Sequence, residues 1–204
     1  MELEVIESHV PECTPPHQDE ISFYREWLPL PKAEFRILTM IAMQNGVFRG
    51  NCADICRNFG VTVQNNNRKK CQDAIDSLTK QDFIQCKICG RTYTLKIIPK
   101  ATEVTLPRLW VQSVLQRNYS TKGVAPVQVL KVFLWIASNK SEVVTNETIA
   151  NELGICTSTV VSAKNVLERE YEIITKRKVS EKLGDDFYRT LGQELQAAAW
   201  WKSP

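Results

Sequence analysis

Two short segments of the chain repeat one pattern of a helix, a small residue and a glycine. Residues 55–61, ICRNFGV, align without gaps on residues 149–155, IANELGI. In each segment a small residue, Cys56 or Ala150, lets the next helix cross closely, and the glycine four positions later accepts the left-handed backbone of a tight turn. Each segment therefore predicts a helix-turn-helix.

A proline-led apolar segment precedes each of these turns at nearly the same distance. Pro31 lies 29 positions before Gly60, and Pro126 lies 28 positions before Gly154. Proline is favoured in the first turn of a helix, so both segments predict helices that begin there. The first segment has one apolar face, and the second is apolar nearly all round, which predicts a central buried helix. The face of the first is formed by Phe35, Leu38, Ile41 and Ala42.

A third helix and a hairpin are predicted after each turn. In the second half the helix covers residues 157–171, with Val160, Ala163 and Leu167 inward; in the first half the inward stripe is Cys71, Ala74, Ile75 and Leu78. The segment QNNNRKK, residues 64–70, falls on the first turn of that helix or in the loop before it. The distance from Gly60 to Ile84 is about five residues longer than that from Gly154 to Ile173, so the turn of the first half is predicted to be longer than the standard form. Alternating stretches over residues 83–98 and 172–191 predict two-stranded hairpins.

The order helix, helix, helix, hairpin resembles the winged helix-turn-helix fold in both halves. Two such units in one chain resemble the plasmid and phage replication initiator proteins of bacteria. The expected fold class is mainly α with small β-hairpins (α+β), as two tandem winged-helix domains. The expected organisation is a flexible acidic leader at 1–20, a first domain at 21–100, a connector helix or linker at 101–125 and a second domain with a C-terminal tail at 126–204.

The resemblance implies that the third helix of each domain enters the major groove of double-stranded DNA while the hairpin contacts the backbone or the minor groove. The residues it places at the DNA are, in the first domain, Asn65, Asn66, Asn67, Arg68, Lys69 and Lys70 and, in the second, Thr157, Ser158, Thr159, Val161, Ser162, Lys164, Lys176, Arg177 and Lys178. Asparagine pairs with adenine and arginine with guanine, and lysines face phosphates. The competing interpretations are that the amides form a polar loop or cap and that the charges form a solvated face.

The charge of the chain is unevenly distributed. Residues 1–30 hold one basic and seven acidic side chains, and the remaining 174 residues carry a net charge of +9. A basic body is suited to a phosphate backbone, although the same excess occurs on proteins that bind no nucleic acid. The acidic start of the chain is unlike a signal peptide, and residues 129–137 are too few to span a bilayer, so a cytoplasmic protein without a membrane partner is expected.

Catalytic motifs are absent from the sequence. There is no Walker-type loop and no HExxH, and both histidines, His9 and His17, lie in the leader, so no enzyme activity and no cofactor are predicted. Seven cysteines without a secretion signal indicate reduced thiols. Cys86 and Cys89 have the spacing of metal ligands but form only half of a zinc site, and a plain hairpin turn is the alternative.

The function expected from these features is sequence-specific binding of double-stranded DNA, foremost in replication initiation on a plasmid, phage or integrated mobile element. Transcriptional regulation of such an element is the alternative. Replication or transcription machinery is the expected protein partner, with the difference that an initiator needs a surface for helicase or primase whereas a repressor needs only its operator. A winged-helix module that binds only proteins is the alternative from another class. Trp200 and Trp201 cannot both face inward on one helix, so one of them could dock on the first domain or on a second chain, forming a homodimer.

Overall fold

The computed structural model describes residues 20–139, 143–171, 174–183 and 187–197. For residues 120 and 143 and from 174 onward it describes the backbone alone. The predicted acidic leader, apart from Glu20, and the tryptophan pair at 200–201 lie outside the described residues. The fold is mixed α and β, with helices packed on small antiparallel sheets.

The first half contains three helices and a three-stranded sheet. In chain order its elements are α1 (Lys32–Ala42), β2 (Val47–Gly50), α2 (Cys52–Asn58), α3 (Asn65–Lys80), β3 (Ile84–Cys89) and β4 (Thr92–Ile97), after a first strand β1 (Glu20–Tyr24) described below. The predicted hairpin is formed by β3 and β4. Sequence analysis missed β2, which pairs with β4 and completes an antiparallel sheet of order β2-β4-β3.

The second half repeats this order of elements. Its connecting segment provides β5 (Glu103–Pro107) and α4 (Arg108–Gln116), and its repeated elements are α5 (Pro126–Ser138), β6 (Val143–Val144), α6 (Asn146–Leu153), α7 (Thr157–Arg169), β7 (Ile174–Leu183) and β8 (Phe187–Ala197). The sheet order β6-β8-β7 is the same as in the first half. The predicted succession of three helices and a hairpin is therefore confirmed in both halves.

The connecting segment is part of the packed structure. Strand β5 pairs antiparallel with β1, which places the start of the first half beside the start of the connector. Helix α4 packs on α5, where the rings of Trp110 and Phe133 lie 4.7 Å apart between centroids. At its other face the guanidinium of Arg108 donates to the carbonyl of Met43 and to Asn45 Oδ1, beyond the end of α1. The segment thus joins both halves.

The helix-turn-helix geometry follows from caps and glycines. Asn51 forms a capping box with Asp54 at the start of α2, and the Thr145 hydroxyl accepts from the Thr148 N–H at the start of α6. Each cap satisfies backbone donors that a helix end leaves unpaired. The following turns contain Gly60 at φ +63° and Gly154 at φ +61°, as the sequence predicted. All predicted core positions of α1, α3 and α7 are buried.

The extra length predicted for the first turn has two sources. Helix α3 begins five positions after Gly60, whereas α7 begins three positions after Gly154. Helix α3 also has 16 residues where α7 has 13. The turn and the helix each contribute to the extra length, so the amide-rich segment lies on α3 itself.

Equivalent cations support both turns. Arg36 and Lys131 occupy the same position after the helix-starting prolines, and each donates to the last residue of the following helix or its cap. Arg36 Nη2 lies 3.0 Å from the carbonyl oxygen of Phe59, and Lys131 Nζ lies 3.4 Å from that of Leu153. A cation at a helix C-terminus stabilises its unpaired carbonyls. The equivalence of Arg36 and Lys131 was not predicted from the sequence, because the two residues lie in segments of different hydrophobicity.

Lys131 has a second role at the junction of the halves. Its side chain is only 3% exposed, and Nζ donates to the carbonyl of Leu30 at 2.7 Å. Burial lowers the pKa of this ammonium group to about 8, because leaving water disfavours the charged form. The Nζ atom of Lys131 thus bonds both the segment that precedes α1, at Leu30, and the turn that precedes α7, at Leu153.

The two halves contact each other through equivalent segments. One cavity is lined by α1, the Gly60 turn and residues 125–127 of the second half. Another is lined by α5, the Gly154 turn and residues 29–32 of the first half. Each half thus presents its first helix and turn to the same part of the other half, and Lys32 and its equivalent Val127 line both cavities. Reciprocal contacts of this kind define an isologous interface.

A single apolar core extends through both halves. It includes Trp27 and Phe35 from the first half and Tyr119 and Phe133 from the second, all at most 1% exposed. Within the described ranges, no helix has the length and hydropathy needed to cross a bilayer.

Candidate nucleic-acid interface

The front of α3 carries all six residues predicted to contact DNA in the first half. Gln64 is the N-cap, and residues 65–70 form the first turns of the helix, which decides the question left open by the sequence. Their side chains are exposed, apart from that of Asn67, which is half-buried. The buried stripe on the opposite side, from Cys71 to Leu78, fixes the helix against the core. The front of α3 is therefore held rigidly and faces solvent.

The three asparagines have different surroundings. Asn67 Nδ2 donates to the carbonyl oxygen of Thr62 at 2.9 Å, which fastens the helix to the preceding turn. Across the described part of the chain, the side chains of Asn65 and Asn66 take part in no hydrogen bond. Asn67 donates to a carbonyl where a cap would accept from a backbone N–H, and the N-cap residue Gln64 makes no side-chain cap hydrogen bond. The amides of Asn65 and Asn66 are available to a ligand.

The cations of α3 lie near its N-terminus, where an isolated helix favours negative charge. Arg68, Lys69 and Lys70 lie near its N-terminus, and the first turn contains no acidic residue. The exposed acids, Asp73 and Asp76, come later in the helix. The positive end of the helix dipole disfavours a cation at the first turn by roughly 0.3 to 1 kcal/mol, an effect that applies to Arg68 and fades toward Lys69 and Lys70. An anionic partner at this end would compensate that cost.

The β3–β4 hairpin lies alongside the same helix. At the C-terminal end of α3 the Phe83 N–H donates to the carbonyl of Leu78 at 2.9 Å. Farther along the hairpin the hydroxyl of Tyr93 donates to the side-chain oxygen of Gln72, near the middle of α3. The hairpin therefore runs back along α3 toward its N-terminal half.

The tip of this hairpin adds two exposed cations, Lys87 and Arg91, which were not predicted as site residues. Between them Ile88 is 64% exposed. Sequence analysis could have found them from the position of the hairpin turn at Gly90. We call the following exposed side chains the α3 face: Asn65, Asn66, Arg68, Lys69, Lys70, Lys87 and Arg91.

The front of α7 has a different chemistry. Thr157 and Ser158 are exposed, Val161 is 40% exposed and Ser162 is half-buried. Thr159 is buried, and its hydroxyl lies 2.8 Å from the sulfur of Cys156. The surface at this position is thus polar, small and uncharged.

The structure corrects the placement of Lys164. The sequence placed this residue at DNA phosphates, but its side chain is only 3% exposed. Its Nζ donates to Asn146 Oδ1 at 2.7 Å, which fastens α7 to the first turn of α6. The amine is directed inward because Lys164 follows the buried Ala163 on the inner side of the helix. We therefore leave it out of the proposed contact surface, together with the buried Thr159.

The second predicted basic run, Lys176, Arg177 and Lys178, lies on β7. Its partners on β8 are residues 193–195, and β6 pairs with residues 193–194 from the other side. The run is therefore located where the sheet has three strands, far from the hairpin turn. Its side chains lie outside the described residues.

Cys156 is a feature of α7 that sequence analysis missed. It is the exposed N-cap residue, and the Ser158 hydroxyl lies 3.2 Å from its sulfur. Hydrogen bonds from Ser158 and Thr159 lower the pKa of this thiol to about 7. A fraction of the Cys156 side chains is then ionised near neutral pH, and the thiolate is the nucleophilic form of cysteine.

The hairpin cysteines lie on opposite faces of one strand. Cys86 and Cys89 both belong to β3, and residues three apart on a strand point to opposite faces of the sheet. Nowhere in the described ranges do three or more histidine, cysteine or acidic side chains form a group that could hold a metal ion.

Comparison with known proteins finds no counterpart for this arrangement. No protein-family model, no curated protein and no solved structure matches the chain.

Proposed function

We propose that the chain is a sequence-specific, double-stranded DNA-binding protein built from two winged-helix units. The observation that carries the proposal is the α3 face, where exposed cations and amides occupy the helix end that disfavours positive charge. Phosphates would compensate this charge, and Asn65 and Asn66 could form hydrogen bonds to base edges.

The topology supports the same proposal. Both halves have three helices and an antiparallel sheet in which the last strand lies between the other two. This is the order of elements in a winged helix, in which the third helix is the one that enters the major groove. Helices α3 and α7 occupy that position, and the β3–β4 hairpin lies beside α3 as a wing.

We further propose that the reciprocal contacts of the two halves reflect a local twofold axis, which predicts the form of the DNA site. Two reading helices related by a twofold axis meet half-sites of opposite orientation, because the symmetry of the site follows that of the protein. Successive half-sites on one face of B-DNA lie about 34 Å apart. We expect an imperfect inverted repeat, imperfect because the fronts of α3 and α7 differ.

The biological role that we propose is replication initiation on a plasmid, phage or integrated element, with the replication machinery as a protein partner. Transcriptional regulation of such an element requires the same DNA contacts. The two roles differ in where the bound sequence lies, beside an origin or beside a promoter.

The test is selection of bound sequences from a random duplex pool by the full chain, at two salt concentrations. Enrichment of a two-part motif, with binding that weakens as salt rises, supports the proposal. If no motif is enriched and binding vanishes at moderate salt, the protein is not a sequence-specific DNA reader. The uncharged front of α7 would then favour a module that binds proteins.

A further inference from the structure

One cavity lies at the junction of the two halves. It has a volume of about 600 Å³ and opens between α1, the Gly60 turn, α4 and the start of α5. Small-molecule sites typically have volumes of roughly 300 to 1,000 Å³ and often lie at domain interfaces. The cavity thus has the size and the location of a ligand site, and it is separate from the α3 face.

The lining of this cavity is basic. Lys32 and Arg36 contribute to it from α1, and the amides of Gln44, Gln112 and Gln116 add polar contacts. None of the described side chains that line it is acidic. The cavity therefore offers donors and positive charge, the chemistry that binds an anion.

Arg36 is preorganised for such a role. Its guanidinium stacks 4.3 Å from the centre of the Phe59 ring, and Nη2 donates to the Phe59 carbonyl. Partial burial lowers the pKa of Arg36 from its ordinary value, because the charged form loses water. A guanidinium has five N–H donors, and among the described contacts only Nη2 donates to the protein. A bound anion would accept from the remaining donors in a partly desolvated place.

Apolar side chains complete the cavity. Met40 and Met43 of α1 lie on one wall and Leu115 of α4 lies on another. Methionine adapts its shape to irregular ligands. A ligand that fits both surfaces has an anionic group joined to an apolar body.

We propose that this cavity binds a small organic anion, whose carboxylate, sulfonate or phosphate group contacts Arg36 and Lys32 while its apolar body lies against Met40 and Leu115. Because α1 and the Gly60 turn form one side and α4 and α5 the other, a bound anion would contact both halves.

The test uses 8-anilinonaphthalene-1-sulfonate, an anion with an aromatic body, titrated into the full chain without DNA and followed by fluorescence. We expect one saturable site per chain. Benzoate or phenyl phosphate should displace the probe, whereas neutral benzamide should not. The absence of saturable binding, or equal displacement by benzamide, would overturn the proposal whether or not the chain binds DNA.

Two variants locate the site. Arg36→Met should weaken probe binding by about tenfold or more, because a hydrogen bond to a charged group is lost. Leu115→Trp should abolish binding by filling the cavity, and it removes no hydrogen bond of the protein. Arg57→Met is the matched control, since Arg57 is an exposed cation outside the cavity. Unchanged affinity in Leu115→Trp, with the fold verified by circular dichroism, would place the probe elsewhere and refute the assignment.

Discussion

The two halves of the molecule use one framework for two different surfaces. In both, a cation from the first helix donates to the end of the second helix, a left-handed glycine follows, and the third helix packs by a stripe of small and apolar residues. The exposed fronts differ. Helix α3 presents cations and amides, and α7 presents hydroxyls, a valine and a thiol of lowered pKa.

This difference shows that framework and surface are constrained separately. The framework positions recur because each turn needs a small residue, a glycine and satisfied carbonyls. The front of the third helix contributes little to packing, so its chemistry is set by what it contacts. We infer that α3 provides most of the affinity for DNA and that α7 contributes contacts that depend little on salt.

The largest effect is expected from the pair of equivalent cations. Lys131→Ala should lower the free energy of unfolding by roughly 2 to 4 kcal/mol, because two buried carbonyls lose a donor and a cavity forms. Arg36→Ala should lower it by about 1 kcal/mol, since that side chain is only half-buried and makes one hydrogen bond. Urea denaturation of both variants measures the difference. Equal losses would show that the two turns are supported to the same extent.

The next largest effect is a loss of DNA affinity when cations are removed from the front of α3, compared with removal of hydroxyls from the front of α7. Arg68→Ala combined with Lys69→Ala should weaken binding to all duplexes about 10- to 100-fold at 0.1 M salt, because counterion release is reduced. The slope of log affinity against log salt should become shallower by about 1 to 2. Thr157→Ala combined with Ser158→Ala should leave that slope unchanged. A slope that changes equally in both double variants would contradict the division of roles.

A narrower effect, confined to one base pair, is expected from Asn66. Asn66→Ala should relax the preference at a single position by about 1 to 3 kcal/mol, because a bidentate contact is lost. Asn67→Ala is the matched control, since its amide holds Thr62 and should affect all sequences alike. Binding to single-base variants of the selected site separates the two. Loss on every sequence for Asn66→Ala would argue against direct readout.

The smallest effect concerns the thiol at the front of α7. Alkylation of Cys156 by iodoacetamide should reach half its maximal rate near pH 7, because only the thiolate reacts. Below pH 7 the thiol gains its proton and the rate falls. Mass spectrometry of the modified peptide measures the profile. Ser158→Ala combined with Thr159→Val should move the midpoint to higher pH, and an unmoved midpoint would remove these hydrogen bonds as its cause.

Much of the fold could be predicted from local patterns. The turns at Gly60 and Gly154, the helices after Pro31 and Pro126 and both hairpins depend on residues close together in the chain. Strands β2 and β6 were missed because they are only four and two residues long and are defined by pairing with β4 and β8. The pairing of β1 with β5 joins segments about 80 positions apart and leaves no local pattern.

The candidate site was predicted less completely, for the same reason. A sequence does not show which polar side chains a fold will bury. Lys164 and Thr159 lie on the same helix as Ser158 and Val161, yet the first two are buried and the others are exposed. Lys87 and Arg91 join the α3 face only because the hairpin runs back along the helix.

The sequence by itself determined the repeated order of elements, since helix starts, glycine turns and inward stripes are set by neighbouring residues. Only the tertiary structure decided how the two halves meet, through reciprocal contacts of equivalent segments with Lys131 at their junction. It also decided which cations face solvent and which complete a helix end. Those outcomes depend on contacts between residues far apart in the chain, whose energies no local pattern records.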